Sequence, residues 1–260
     1  MEANAKLLNM DVLVKIISAL SDNYIYLLVW GNMAIVVDPS AAEPVLEALK
    51  KDNLQLQAIV ITHHHWDHTA GIDALVQATS CPVIGPDDER IPKLTQTAKD
   101  GETIAFGPLS FQVIETPGHT TSHVVYYEPE KGWLLTGDTL FGAGCGRLFE
   151  GTPKQMHESL SKIAELPGET KIFCGHEYTV KNLEFAASIE PSNQAVADRL
   201  SQAKRERQQN IPTVPSTLSL EKKTNLFLRS HEPSLKAALK MDHASDLDVF
   251  TKVRELRNHY

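Results

Sequence analysis

The segment Ile61-Thr62-His63-His64-His65-Trp66-Asp67-His68 gathers four imidazoles and one carboxylate within six positions. An H-x-H-x-D-H pattern should arise by chance in about one chain per thousand of this composition, so coincidence is the weaker account. Extended backbone sends alternate side chains to opposite sides, so His63 and His65 are expected to face one cation while His64 and Trp66 point away. Where the strand gives way to a turn, Asp67 and His68 can reach a second position beside the first. Imidazole and carboxylate are borderline to hard donors that suit Zn(II), Fe(II) or Mn(II), and no thiolate is needed. The spacing suggests two metals.

Three later segments repeat one device, a β-rich run ending in a small-residue turn: Val113-Ile-Glu-Thr-Pro-Gly-His119, Leu134-Leu-Thr-Gly-Asp138 and Ile172-Phe-Cys-Gly-His176. In each, a candidate ligand directly follows a glycine, which lets the backbone turn sharply and approach a ligand closely. If these strands share a sheet, their ends converge on one rim, where open α/β sheets place their sites. The count then gives His63, His65 and His119 to one ion and Asp67, His68 and His176 to the other. Asp138 can bridge them through its two oxygens. Seven ligands for two ions leave room for a bridging water or hydroxide.

The remaining candidates read more plainly. His157, His231, His243 and His259 are expected to be ordinary hydrogen-bonded core or surface residues. His123, four positions after His119, is read as structural or as a support for a ligand. Asp38 ends a β-branched run and could orient a metal-bound histidine, while Asp38-Pro39 is equally an ordinary turn. Cys145, within Gly142-Ala-Gly-Cys-Gly, and Cys174 are read as small packed residues.

The elements that must position these groups have α/β grammar. Strands are expected at Val12–Ile17, Ile25–Trp30, Ala34–Val37, Leu56–Thr62, Pro82–Gly85, Leu109–Glu115, Val124–Tyr127, Trp133–Thr136 and Lys171–Cys174. Helices are expected at Glu43–Lys51 and Ile72–Ala78, and from Thr152-Pro153 toward Glu165. After about residue 176 the strands are expected to cease. The tail carries helical patterns at Val180–Ile189, Gln194–Gln208, Ser234–Met241 and Asp246–Asn258, broken by the loop Ile211-Pro-Thr-Val-Pro-Ser. The fold class is therefore α/β with a smaller helical appendage. No internal repeat is visible.

The chain has 260 residues, is 42% hydrophobic, and carries 25 Lys plus Arg against 33 Asp plus Glu, a net charge of −8. That composition excludes wholesale disorder and disfavours polyanionic partners, so neither nucleic acid nor an anionic membrane surface is expected. Three widely spaced cysteines do not make a disulfide framework. There is no transmembrane run and no export signal, so a cytoplasmic protein is expected.

Taken together, T-H-H-H-W-D-H, T-P-G-H-T, G-D-T-L-F, the glycine turn around Cys145 and C-G-H-E-Y-T resemble glyoxalase II, the hydroxyacylglutathione hydrolases of the metallo-β-lactamase superfamily. The likeness runs from about Ala19-Leu-Ser-Asp-Asn-Tyr through the tail with its Thr213-Val-Pro-Ser-Thr. It implies an αββα sandwich catalytic domain over residues 1–176, of which 1–9 form an extension, and a helical substrate-binding domain over 177–260. It implies the same metal ligands, with Asp67 and Asp138 serving catalysis beside a metal-bridging hydroxide, and two divalent ions per chain, Zn(II) foremost and Fe or Mn compatible. It further implies glutathione contacts from Tyr178, Asn182, Arg254 and Arg257, with a backbone contact at Arg147. Arg254 and Arg257 lie three apart on the expected last helix, hence on one face, and guanidinium suits carboxylates; taken singly they would read as solvated charges.

The implied reaction is hydrolysis of S-D-lactoylglutathione to D-lactate and glutathione by a monomer. The departing thiolate has a conjugate acid of pKa about 8.5, so no dedicated proton donor is needed. Two departures from many eukaryotic members bear on substrate affinity: Phe149 replaces a tyrosine and Arg257 replaces a lysine. A persulfide dioxygenase would use one Fe(II), and a lactonase or β-lactamase would open a ring ester or lactam. A nucleic-acid-processing hydrolase would need a basic groove. A non-catalytic zinc site would be closed and four-coordinate.

Overall fold

The computed structural model describes residues 11–260; the expected extension, residues 1–9, lies outside them. Two compact units emerge, one made of the described residues up to Glu115 with Val124–Lys131, the other of Thr116–His123 with Gly132–Tyr260.

The first unit runs through β1 (Leu13–Ala19), β2 (Asn23–Trp30), β3 (Met33–Val37), helix α1 (Glu43–Asp52), β4 (Gln55–Val60), helix α2 (Trp66–Thr69), helix α3 (Ile72–Thr79), β5 (Val83–Gly85) and β6 (Leu94–Thr97). These six strands form one sheet in sequence order. β1, β2 and β3 are antiparallel, whereas β3 to β6 are parallel, as connections long enough to hold α1 and α3 allow. One face of the sheet, carrying Ile25, Leu27, Ala34, Val36 and Ile59, packs with Val45 and Leu49 of α1 and Ile72 and Leu75 of α3. Tyr24, Tyr26, Leu28, Ile35 and Val60, on the opposite face, are buried as well. A strand covered on both faces reads as a nearly continuous apolar run, which is why Asn23–Trp30 and Met33–Val37 show so little alternation.

A second antiparallel set, β7 (Thr103–Phe106), β8 (Leu109–Glu115) and β9 (Val124–Glu128), covers that opposite face. Tyr126 of β9 donates its hydroxyl to the Ile61 carbonyl at 2.8 Å, and the Val124 N–H donates to the Thr62 carbonyl at 3.0 Å. The first unit is thus layered helix, sheet, sheet.

In the second unit, β10 (Trp133–Gly137) leads to a short hairpin of β11 (Leu140–Phe141) and β12 (Gly144–Cys145), then helix α4 (Pro153–Ala164) and β13 (Lys171–Cys174). β10 and β13 are parallel neighbours. Thr152 caps α4 in a reciprocal box with Gln155, as Thr-Pro at the helix start leads one to expect. Helices α5 (Thr179–Ile189), α6 (Gln194–Gln208), α7 (Leu218–Thr224), α8 (Pro233–Leu239) and α9 (Asp246–Asn258) follow. Phe250 of α9 meets the His157 ring of α4 edge-on at 5.4 Å and the Phe227 ring at 5.5 Å. One expectation needs correcting: strands do not cease at residue 176. β14 (Ser216–Thr217) pairs antiparallel with Lys171 and Ile172, too short a ladder to leave any alternation in the sequence.

Candidate metal centre

In the first unit the C-terminal ends of β3 and β4 supply the chemistry. Val37 is followed by Asp38, whose φ of 49° lies in the left-handed region, one that Asp tolerates better than most residues. Its N–H donates to the Val60 carbonyl at 3.0 Å, which fixes the carboxylate beside the chain leaving β4. Asp38 is buried, 3% exposed, and fully engaged. Oδ1 accepts from the Thr62 N–H at 2.8 Å; Oδ2 accepts from the Thr62 hydroxyl at 2.7 Å and lies 3.1 Å from His68 Nδ1.

These partners fix the histidine tautomers. The Thr62 hydroxyl spends its proton on Asp38, so its oxygen accepts from His63 Nδ1–H, 3.0 Å away. His68 likewise turns Nδ1–H to Asp38. Both rings are left with a bare Nε2, the arrangement that oriented imidazole ligands show. Of the two readings of Asp38, the geometry is that of an orienting group. A turn it also is, since the Ser40 N–H donates to its carbonyl at 2.9 Å.

His63 to His65 lie beyond the sheet, since β4 ends at Val60, and His65 takes φ −57° and ψ 143° at the start of the next helix. His63 Nε2 stands 3.2 Å from His65 Nδ1. Two nitrogens each about 2.0–2.1 Å from one tetrahedral ion would be about 3.3 Å apart, so the pair fits a shared cation. His64 points elsewhere, its Nδ1 3.4 Å from Asp88 Oδ2, and Trp66 is 69% exposed. The turn expected after the histidines is the single-turn helix α2. It places Asp67 Oδ2 3.8 Å from His68 Nε2. Asn23 at the start of β2 donates to Asp67 Oδ2 at 3.2 Å and to the Asp67 carbonyl at 3.0 Å. Asn23 was not among the sequence candidates; its signal was a polar residue opening an otherwise apolar strand.

In the second unit, Asp138 follows Gly137, whose φ of 46° makes the sharp turn anticipated after β10. Asp138 Oδ2 stands 3.4 Å from His119 Nε2 and 3.4 Å from His176 Nε2. These separations again match two donors on one ion. His119 Nδ1–H donates to the Arg147 carbonyl at 2.7 Å, leaving Nε2 toward the carboxylate. His123 is fully buried; its Nε2 accepts the Asp138 N–H at 3.1 Å, and its Nδ1 lies 3.1 Å from the hydroxyls of both Thr116 and Thr139. It therefore supports the Asp138 backbone. His176 stacks on Tyr178 with ring centroids 4.8 Å apart and planes at 2°.

The residues expected to contact substrate fall in the second unit. Asn182 donates its amide to the Gly142 carbonyl at 2.9 Å, and its Oδ1 accepts from Arg257 Nη2 at 3.1 Å. Arg254 is not a solvated charge but 7% exposed, with Nη1 donating to the Cys145 and Gly146 carbonyls at 3.0 and 3.3 Å. Its buried Nε has no hydrogen-bond partner among the described residues. Burial and the neighbouring Arg254 charge lower the Arg257 pKa from its ordinary value. Phe149 is 61% exposed and meets the His119 ring edge-on at 5.3 Å, with the Arg147 guanidinium carbon 5.9 Å from its centroid.

All three cysteines are buried thiols. Burial raises the pKa of each, that of Cys174 to about 12. Nucleophilic thiolate is correspondingly scarce. At pH 8 a chromogenic disulfide reagent is expected to titrate almost none of them in the native protein and all three in denaturant; rapid native modification of Cys145 would contradict this.

Residues 20–176 match the metallo-β-lactamase superfamily, and residues 177–260 match the C-terminal family described as hydroxyacylglutathione hydrolase C-terminus. A hydroxyacylglutathione hydrolase from Methylobacillus flagellatus is 50% identical over 246 residues, covering 94% of this chain and 98% of the relative. Among solved structures, ETHE1 from Myxococcus xanthus aligns over 94% of this chain and 96% of its own, with a TM-score of 0.66 and 22% identity, a likeness of fold alone. TTHA1623, solved in a di-iron-bound form, is 29% identical, with a TM-score of 0.54 over 64% of this chain and 92% of its own. The fold is that of the metallo-β-lactamases, with mixed sheets and a C-terminal helical region. No helix among the described residues is long and apolar enough to cross a membrane.

Proposed function

The chain belongs to the hydroxyacylglutathione hydrolases of the metallo-β-lactamase superfamily, and from that premise we propose that it cleaves S-D-lactoylglutathione to D-lactate and glutathione at a dinuclear metal centre. His63, His65 and His119 would hold one ion, Asp67, His68 and His176 the other, and Asp138 would bridge them. The observation that carries this reading is Asp138 Oδ2, equally 3.4 Å from the Nε2 atoms of His119 and His176, which the ligand scheme assigns to different ions. The di-iron form of TTHA1623 is a precedent for a metal pair on this fold.

Two divalent cations there would act as Lewis acids and lower the pKa of bound water to about 7, supplying hydroxide near neutrality. Everything else falls to the chain. Asp38 holds two ligand rings in the tautomer that presents Nε2, and the Arg147 carbonyl does so for a third. Asp67, whose carboxylate accepts from Asn23, would orient a nucleophilic water as well as ligate. The product thiolate needs little proton donation, so this reading requires no dedicated general acid. Zn(II) is the metal we favour.

Substrate binding would fall to Tyr178, Asn182, Arg254 and Arg257, with the Arg147 backbone, in a helical domain of residues 177–260 that follows a catalytic domain ending at residue 176. A buried Arg254 with an unpartnered Nε and, three residues on, a half-buried Arg257 whose pKa is lowered by desolvation and by the Arg254 charge favour an anionic ligand such as the glutathione carboxylates. We place this activity in a cytoplasmic monomer acting on a small molecule.

The test is loss of thioester absorbance with lactoylglutathione, its abolition by a chelator and its return with Zn(II). Oxygen consumption with a glutathione persulfide, without thioester loss, would instead assign the dioxygenase reaction. Arg254→Ala is expected to raise KM about tenfold, the effect of one lost hydrogen bond to a charged group, with kcat falling less because the contact is remote from the reacting carbonyl. An unchanged KM with a lowered kcat would remove Arg254 from the substrate site.

A further inference from the structure

We infer that Glu221, on helix α7 of the C-terminal helical region, is a positioning residue for the metal centre, acting through the glycine turn between β11 and β12; this rests on the ligand set proposed above. Glu221 is fully buried, yet no sequence pattern distinguishes it. Its Oε1 accepts from Arg199 Nη2 and from the Ser216 hydroxyl, each at 2.5 Å. Its Oε2 accepts from the Ala143 N–H at 2.8 Å and from Asn225 Nδ2 at 3.3 Å. A carboxylate this buried is tolerated only because every acceptor position is filled and Arg199 balances the charge.

The target of that carboxylate is a strained turn. Ala143 takes a φ of 54°, in the left-handed region that disfavours any residue with a side chain. Such a conformation persists only where its surroundings over-determine it. Here Glu221 holds the Ala143 N–H, while Asn225 Nδ2 donates to the Gly144 carbonyl at 3.0 Å and to the Phe141 carbonyl at 3.4 Å.

Just beyond β12, the backbone that leaves this hairpin touches two proposed ligands. A Cβ on Gly146 would stand 2.0 Å from the Asp138 carbonyl oxygen and 3.0 Å from His119 Nδ1, so the backbone there lies directly on both residues. One residue on, the Arg147 carbonyl accepts the His119 Nδ1–H. Glu221 and Asn225 are thus linked to His119 and Asp138 by one short stretch of backbone, all within the second unit. The helical region then has a role besides substrate binding: it sets the tautomer and placement of a ligand.

The test is Zn(II) affinity, measured by competition with a chromophoric chelator, with thermal unfolding recorded in parallel. Glu221→Gln turns an amide N–H onto a donor and should weaken binding of at least one of two equivalents by about tenfold or more, the usual effect of losing a ligand's outer partner. Adding Ala143→Gly, which lets the turn keep its shape unaided, should restore part of that loss. If Glu221→Gln does not fold, Asn225→Ala, which releases the turn from its other grip, carries the same expected loss. A variant that melts earlier but binds Zn(II) as the wild type does overturns the inference, as does a loss that Ala143→Gly leaves untouched. Wild-type protein that fails to bind a pair of ions would instead overturn the reading beneath it.

Discussion

Asp138→Asn is expected to lower bound metal and kcat together, with kcat falling by at least about a hundredfold. The substitution keeps the size and the N–H held by His123, so the backbone after Gly137 should be preserved. What it removes is the negative charge on an oxygen 3.4 Å from two imidazole nitrogens. An amide can offer one neutral oxygen to a cation but cannot bridge two while balancing their charge. Loss of an outer partner already lowers metal affinity about 10–100-fold, and loss of a bridging ligand should exceed that. Elemental analysis and turnover on the same preparation check it. Full metal content with reduced kcat would make Asp138 a catalytic group alone; unchanged kcat would remove it from the centre.

Asp38→Asn is expected to produce the next largest effect, a fall of about 10–100-fold in metal affinity. Asparagine tolerates the left-handed backbone, and its oxygen can still accept the Thr62 N–H. Its NH2 would then face His68 Nδ1–H and the Thr62 hydroxyl, where the carboxylate now accepts from both. A buried donor facing donors costs about 1–3 kcal/mol unless something rotates. The available rotations reverse the His68 tautomer, or turn the Thr62 proton onto His63 and displace that ring's own. Either outcome spoils an Nε2 ligand. Chelator competition measures it, and wild-type affinity in Asp38→Asn would show that the carboxylate is only a turn residue.

Where the proposed chemistry requires particular residue types, the sequence offers candidates by type and spacing. Four candidate ligands lie within one short segment, and the other three each follow a glycine after a β-rich run. The buried strands were equally plain, because β2 and β3 are apolar on both faces. Pattern failed where contacts rather than periodicity decide. β6, Leu94-Thr-Gln-Thr, is a half-exposed edge strand with no alternation, and β14 is only two residues long. Helix α7, Leu218-Ser-Leu-Glu-Lys-Lys-Thr, follows a proline loop and is too short for a period to show. Asn23, Arg199, Glu221 and Asn225 were missed for one physical reason. Their roles come from being buried against partners remote in sequence, and a polar residue looks the same on paper whether water or a carbonyl satisfies it. Arg254 illustrates the converse, since a guanidinium that reads as surface charge is sealed inside, gripping the Cys145 carbonyl.

The central claim is that seven side chains gather two cations. The most direct test is a crystal structure of Zn(II)-loaded protein with anomalous data collected on both sides of the zinc edge. Two peaks are predicted, one within about 2.0–2.2 Å of His63, His65 and His119, the other of Asp67, His68 and His176, with Asp138 touching both. A single peak, or a pair that leaves His119 or His176 unligated, would contradict it.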